Sequence, residues 1–312
     1  MKIGISLIVP VYNEEASIDT FLNRIHFLLK NKYTYELIFV NDGSEDKTLN
    51  KLLKSQKVNS HIKIIDLSRN FGKEAALTAG LKYAKGDVSI PLDIDLQDPP
   101  EIILKMIDKW KNGAEIVVGR RIDRASDSFF KRFSADVFYY LFNKISHHKI
   151  PNNVGDFRLM DRKVVDALNE LDEQNRFMKG LFAWVGFKTE YVDYVRPKRL
   201  IGQSKFNAWK LFNLAIEGFT SFSIEPLKIW TYLGILIAFA SLLAGARILF
   251  QIIFNGVDLP GYASLFVAIT FLGGIQLIGI GILGEYLGRV YIESKKRPIF
   301  LVRKFYVKSN RR

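Results

Sequence analysis

Val88-Ser89-Ile90-Pro91-Leu92-Asp93-Ile94-Asp95-Leu96-Gln97-Asp98-Pro99-Pro100 is the stretch that decides the fold: a short apolar run ending abruptly in acidic residues. On an extended segment, side chains two residues apart point the same way, so Asp93 and Asp95 can present both carboxylates to one ligand. Paired carboxylates suit Mg²⁺ or Mn²⁺, hard cations that take oxygen ligands and bridge to substrate phosphates. Gln97 and Asp98 offer further oxygens. Alone, an Asp-x-Asp reads first as a solvated acidic turn, and its context must decide.

Working outward, four more apolar runs rich in β-branched residues appear: Ile3–Val9, Tyr35–Val40, Ile62–Leu67 and Ile116–Val118. The stretches between them have helical spacing, as in Ile18, Phe21, Leu22, Ile25, Leu28 and Leu29. Strands alternating with helices predict an α/β fold with a mostly parallel sheet covered on both faces. Ligands of such sheets bind beyond the carboxyl ends of the strands. Polar clusters lie at those ends: Pro10-Val11-Tyr12-Asn13-Glu14-Glu15, Asn41-Asp42-Gly43-Ser44, and Asp66 to Gly72. Local turn and cap chemistry accounts for each cluster singly, with Asp42-Gly43 as a turn and Ser44 as a helix cap. It does not account for four of them on one sheet edge, which is the geometry of a nucleotide pocket.

The remainder changes character. Residues 227–253 carry only Lys228 and Arg247 as charges, and residues 262–284 carry none. Each exceeds the roughly 20 residues needed to cross a bilayer, with Gly256, Pro260 and Gly261 marking a turn between them. Arg247 is expected to snorkel or to face the partner helix. Two segments precede the hairpin. Phe129 to Phe142, interleaved with Lys131 and Arg132, fits a core helix or a basic helix on a membrane surface. Lys205–Phe222, leading directly into the apolar region, is expected at the interface. The tail after Tyr291 is basic while the inter-helix loop has only Asp258, so both termini and the catalytic domain are expected in the cytoplasm. An alternating run, Ile299–Val307, predicts an edge strand for its own sheet or a neighbour's, and with it a homo-oligomer as one outcome. The expected layout is a catalytic domain over 1–200, a juxtamembrane helix over 201–225, two spans at about 227–253 and 262–287, and a tail over 291–312.

The net charge of +13 suits anionic lipid or phosphorylated ligands. No zinc-ligand spacing or helix-turn-helix pattern points to nucleic acid. There are no cysteines, so disulfides and thiolate metal sites are excluded.

Taken together, VPVYNEE, VNDGSEDKT, LSRNFGKEAALTAG and LDIDLQDPPE resemble the family 2 glycosyltransferases with a GT-A fold. The resemblance is to their polyprenyl-phosphate branch, which includes dolichol-phosphate mannose synthases and the bactoprenol glucosyltransferases of the GtrB type. It implies a Rossmann-like GT-A catalytic domain with amphipathic interface helices and a two-helix transmembrane hairpin, at the inner cell membrane. It also implies that Pro10, Tyr12, Glu14, Asp42, Asn70 and Gly72 surround the nucleotide. Asp93, Asp95 and Gln97 would hold the metal, with Asp95 central to catalysis. Asp156 matches the family's candidate base, although a lipid phosphate is already ionised and Gly155-Asp156 also fits a simple turn. Arg199, Ser204 and Lys205 match a segment lying over the phosphates, with an anionic-lipid patch as the alternative. For the acceptor phosphate, the cations and hydroxyl between the fifth strand and the aromatic helix are expected: Arg120, Arg121, Lys131, Arg132 and Ser134.

The function so implied is inverting transfer of a sugar from a nucleotide donor, UDP-glucose or UDP-N-acetylglucosamine, to polyprenyl phosphate. Two other readings stand beside it. A processive polysaccharide synthase is disfavoured by the absence of a Gln-x-x-Arg-Trp signature, and a non-catalytic nucleotide-sugar-binding scaffold by the intact acidic pair.

Overall fold

The computed structural model describes residues 3–30, 32–122, 154–174, 176, 178–195 and 261–308, with short helical pieces between 230 and 254. Each early apolar run is a strand: β1 (Gly4–Val11), β2 (Thr34–Asn41), β3 (Ile62–Leu67), β4 (Val88–Pro91) and β5 (Ile116–Arg121). Strands buried on both faces need apolar residues at successive positions. In β1, accordingly, Leu7, Ile8 and Val9 are all fully buried.

Between these strands run α1 (Ile18–Leu29), α2 (Thr48–Val58), α3 (Lys73–Tyr83) and α4 (Ile102–Lys111). Helix α1 buries one stripe, Ile18, Phe21, Ile25, Leu28 and Leu29, as its spacing predicts. Helix α3 differs, with every residue from Ala75 to Leu81 buried. Its small side chains let it lie close to the sheet. A Cβ on Gly80 would stand 2.2 Å from the Ile8 methyl and 3.3 Å from a Val40 methyl.

The chain continues with β6 (Val154–Asp161), α5 (Arg162–Asn169), α6 (Met178–Trp184) and β7 (Thr189–Tyr194). It ends with α7 (Tyr262–Ser294) and β8 (Val302–Tyr306). One sheet takes all eight strands in the order β7-β5-β6-β4-β1-β2-β3-β8. The central strands β4, β1, β2 and β3 are mutually parallel, so their carboxyl ends share one edge. Strand β6 runs against both β4 and β5, and β8 runs against β3. The alternating tail run therefore joins its own sheet.

The chain forms two compact units, residues 1–215 with 297–312, and residues 216–296. In the second, α7 starts where the second expected span starts and runs on to Ser294. Its 33 residues give about 50 Å of helix at 1.5 Å per residue. Among the described residues one helix, not the two expected, is long and apolar enough to cross a bilayer: Phe271–Ser294. About half of the first expected span lies outside the described residues, and those described within it are helical. Trp230 of that stretch packs on α7, with its ring 3.4 Å from where a Gly279 Cβ would stand. The expected aromatic helices at 124–150 and 205–222 also lie outside the described residues.

Gly80→Ala tests the close approach of α3. An alanine gains roughly 1 kcal/mol in helix propensity, whereas overpacking a filled core costs about 1–3 kcal/mol. The expected net result is a lower melting temperature. A melting temperature equal to or above wild type would refute the packing described.

Candidate active site

The parallel strand ends open onto a cleft of about 320 Å³. Pro10, Val11, Tyr12 and Glu14 line it from the end of β1, and Asp42 from the end of β2. Asn70, Gly72, Lys73 and Ala76 come from the loop after β3 and the start of α3, and Asp93, Ile94 and Asp95 from the end of β4.

Backbone chemistry fixes these loops to one another. Asp42 accepts hydrogen bonds from the backbone N–H groups of Phe71 (2.7 Å) and Gly72 (2.9 Å). Burial raises the Asp42 pKa, and these bonds with the nearby Arg69 only partly offset it. Gly43 has φ +68°, and a Cβ there would stand 2.5 Å from the Arg69 carbonyl carbon, so the β2 and β3 loops meet backbone to backbone. On the other side, the Asn13 N–H donates to Ser44 Oγ and the Glu45 N–H donates to Asn13 Oδ1. Ser44 thus ties two loops together instead of capping α2, where Asp46 accepts from the Thr48 N–H. After the acidic pair, Leu96 is held at φ 55°. That left-handed conformation costs a non-glycine residue roughly 1–2 kcal/mol. The Gln97 N–H donates to Asp95 Oδ1 at 3.2 Å.

The floor of the cleft is a charge cluster centred on Lys73. Its ammonium lies 2.8 Å from Asp93 Oδ1 and 3.0 Å from Asp156 Oδ2. Burial disfavours the Lys73 charge, but Asp156 and Asp93 outweigh it and hold the ammonium protonated well above its usual range. One cation shared by two carboxylates leaves them unequal. At Asp156 burial opposes ionisation, yet the charges of Lys73, Lys179 and Arg158 keep the carboxyl below its ordinary pKa. At Asp93 burial prevails, reinforced by Asp156 and Asp98, and the pKa is raised despite Lys73.

This imbalance bears on the metal. Asp93, Asp95 and Asp156 bring three carboxyl groups to a region where Lys73 is the cation in contact with Asp93. Two half-buried carboxylates beside an open cleft fit a divalent cation that takes its remaining ligands from water and phosphate oxygens. No cluster of three or more His, Cys, Asp or Glu side chains with metal-binding arrangement occurs among the described residues.

The other expected residues are placed as follows. Gln97 is buried and does not line the cleft. Asp98 is also buried, and it faces Arg121 at 3.4 Å and accepts a bond from the Tyr194 hydroxyl. Arg120 grips Asp193 through two bonds of 2.6 and 2.9 Å on the exposed side of β5 and is not in the cleft. Its neighbour Arg121 takes the inner face, beside Asp98 and close to Gly155. Lys131, Arg132, Ser134, Arg199, Ser204 and Lys205 lie outside the described residues.

Lys73, Glu74, Arg158 and Lys179 were not singled out by the sequence. Lys73 sits inside the quoted LSRNFGKEAALTAG motif, but a lysine opening a helix has no local mark of its distant carboxylate partners. Arg158 is buried on β6, donates to the Gly155 carbonyl at 2.7 Å, and lies 3.8 Å from the Phe182 ring centroid.

Residues 6–168 match the family model described as glycosyl transferase family 2, and residues 225–290 match the GtrB C-terminal hairpin. The chain belongs to glycosyl transferase family 2. It is 52% identical to an uncharacterized glycosyltransferase of Synechocystis, covering 97% of this chain and 95% of that one. It is 51% identical to the bactoprenol glucosyl transferase of Shigella phage SfV, over 96% of this chain and 98% of the relative. A prophage bactoprenol glucosyl transferase homolog of Escherichia coli K12 is 50% identical over the same shares. Among solved structures, a Pyrobaculum calidifontis mannosyltransferase in complex with GDP-Man and Mn²⁺ superposes with a TM-score of 0.49 at 17% identity. It covers 95% of this chain and 87% of its own, and the likeness is too distant to bear on chemistry.

Glu74 makes the charge cluster testable by pH. Burial, then the charge of Asp156, pushes its carboxyl up to about 8, with Lys73 and Lys179 only partly opposing. The unfolded chain ionises Glu74 near the ordinary glutamate value of 4.5, so between 4.5 and about 8 the folded state keeps a proton that the unfolded state releases. Stability is therefore lost as pH rises through that window. Glu74→Gln is expected to match wild type near pH 4.5 and to melt at a higher temperature at pH 8. Equal melting temperatures at pH 8 would refute the assignment.

Proposed function

We propose that this chain transfers a hexose from a nucleotide-sugar donor to polyprenyl phosphate at the cytoplasmic face of a membrane, inverting the anomeric centre. The observation that carries this reading is the cleft in which the ends of β1, β2, β3 and β4 meet around Asp93 and Asp95. Support for the lipid acceptor comes from relatives of about 50% identity named bactoprenol glucosyl transferases and from the apolar helix α7. Those names also favour glucose, and with it UDP-glucose, over UDP-N-acetylglucosamine.

In the proposed mechanism a phosphate oxygen of the lipid attacks the anomeric carbon. The bond from that carbon to the donor diphosphate breaks, and the nucleoside diphosphate leaves. The lipid phosphate is already ionised at neutral pH, so no proton need be removed from it. Mg²⁺ or Mn²⁺ held by Asp93 and Asp95 supplies charge neutralisation for the departing diphosphate. Pro10, Tyr12, Glu14 and Asp42 shape the base and ribose end, with Asn70 and Gly72 beside them. Lys73 keeps a fixed positive charge on the cleft floor, where it cannot be lost by deprotonation at neutral pH. Asp156 positions groups and does not remove a proton, because a base works best with a pKa near the operating pH. Its neighbouring cations hold it below even the ordinary carboxylate value. Most of the acceleration then comes from orientation and preorganised charge.

Incubating the purified protein with undecaprenyl phosphate and a panel of nucleotide sugars, followed by mass analysis of the lipid, is the direct test. One added hexose supports the reading. A lipid or polymer carrying many sugars favours a processive synthase, and no product from any donor favours a binding scaffold. Asp95→Asn is expected to abolish transfer, by a factor of at least about 10², while the protein still folds and enters membranes. Near-normal transfer with Mg²⁺ or Mn²⁺ would refute the metal assignment.

A further inference from the structure

The strand that follows the membrane helix reaches the loop that lines the donor cleft. Strand β8 pairs with β3 so that Asp66 faces Lys304 and Leu67 faces Val302, leaving Arg303 as the extra residue of a β-bulge. Bulges bend a strand and re-aim a side chain, and they are common beside active sites. Here the guanidinium of the bulged residue donates to the Ser68 carbonyl at 2.6 Å and stands 3.6 Å from buried Asp66. The backbone adds a second hold, because the Ser68 N–H donates to the Leu301 carbonyl at 2.9 Å. Both polar backbone groups of Ser68 are thus taken by the tail.

Ser68 is the first residue of the loop that carries Asn70 and Gly72 into the cleft. The far end of that loop is gripped by Asp42 through Phe71 and Gly72. Asp66 continues the connection inward, since it accepts a 2.7 Å bond from Asn41, the residue before Asp42. The tail is fastened elsewhere as well. Phe305 packs on Tyr83 of α3 with ring centroids 4.9 Å apart, and Gln56 of α2 donates to the Tyr306 carbonyl. Lys308 donates to the Lys57 carbonyl. Of these tail contacts, those of Leu301 and Arg303 with Ser68 are the ones that reach the cleft loop.

We propose that this tail is a component of the donor site, with Arg303 a positioning residue that sets the 68–72 loop for the nucleotide. The inference rests on the donor-site reading above. The loop has two anchors, one internal at Asp42 and one supplied by the last strand of the chain. Loss of the second lets the loop sample conformations in which Asn70 and Gly72 no longer meet the nucleotide, and binding must then bear the cost of ordering it.

The test uses the full-length protein in detergent, with UDP and Mn²⁺ as the probe for direct binding, and steady-state transfer as the second readout. Arg303→Met keeps the aliphatic stem and removes the fork. It is expected to raise the UDP Kd and the donor KM about tenfold, the scale of a lost hydrogen bond to a charged group. Both kcat and the KM for polyprenyl phosphate are expected to stay within about twofold, a split that general destabilisation would not produce. Lys308→Ala loosens the tail away from the cleft loop and is expected to bind UDP as wild type does. Should Arg303→Met fail to fold, Arg303→Lys serves in its place, keeping the charge near Asp66 without the planar fork to Ser68, with a several-fold rise in Kd expected. Wild-type binding of UDP with an unchanged Kd in the Arg303 variant overturns the inference alone. So does a rise as large in Lys308→Ala as in Arg303→Met. Wild-type protein that binds neither UDP nor GDP overturns the donor-site reading and the inference with it.

Discussion

The ammonium group of Lys73 joins two carboxylates that belong to strands of opposite direction. Strands β4 and β6 are in register only at Val88 with Asp161 and Ser89 with Met160. Beyond those pairs the chains separate, and Asp93 and Asp156 stand on either side of the opening. Lys73, delivered by the first residue of α3, bridges them. Asp156 is the more enclosed of the two carboxylates, so loss of Lys73 would leave its charge the less compensated. The split between β4 and β6, the strand that runs against both its neighbours, is therefore lined with charge and not closed as an apolar core. The acidic pair proposed to hold the metal sits along that split.

The parallel half was legible in the sequence because its physics is local. Continuous β-branched runs such as Ile62–Leu67 have few other stable settings in a chain that alternates them with amphipathic helices. The acidic and polar residues that end those runs share an edge simply because the strands are parallel. Hence Pro10, Tyr12, Glu14, Asp42, Asn70, Gly72, Asp93 and Asp95 come to one cleft. The side of the sheet beyond β4 was less legible. Strand β6 buries Arg158 and Asp156 among apolar neighbours, and β7 reads Thr-Glu-Tyr-Val-Asp-Tyr, so neither shows a strand's usual apolar pattern. Lys73 escaped notice because its partners are distant in sequence, and nothing near it marks the pairing. Arg120 and Arg121 illustrate the difficulty. Adjacent residues on a strand face opposite ways, and a one-residue choice decides which arginine meets Asp98 and which meets Asp193.

The acidic pair also stands beside a resident cation. A site that builds a complete ligand shell binds its metal regardless of substrate. Two carboxylates beside a resident ammonium make a weaker claim, one that diphosphate oxygens would complete. Metal and donor affinities would then be linked, each raising the other by the same factor. The strained Leu96 that follows the pair suits this economy, since it fixes the turn that carries Asp93 and Asp95 before any ligand arrives.

Strand β8 has a consequence for how the molecule is made. Arg303 and Ser68 are 235 residues apart in sequence, and the apolar helix α7 is synthesised before β8 emerges. Until then β3 is an open edge, with unpaired backbone groups that invite pairing with another chain. Non-local strand pairing of this kind is also intrinsically slow to form. A chain interrupted before residue 302 would hold most of the sheet yet leave its most vulnerable border bare. Biogenesis is thus ordered by topology: the sheet whose strand ends form the cleft is completed only after α7 has been made.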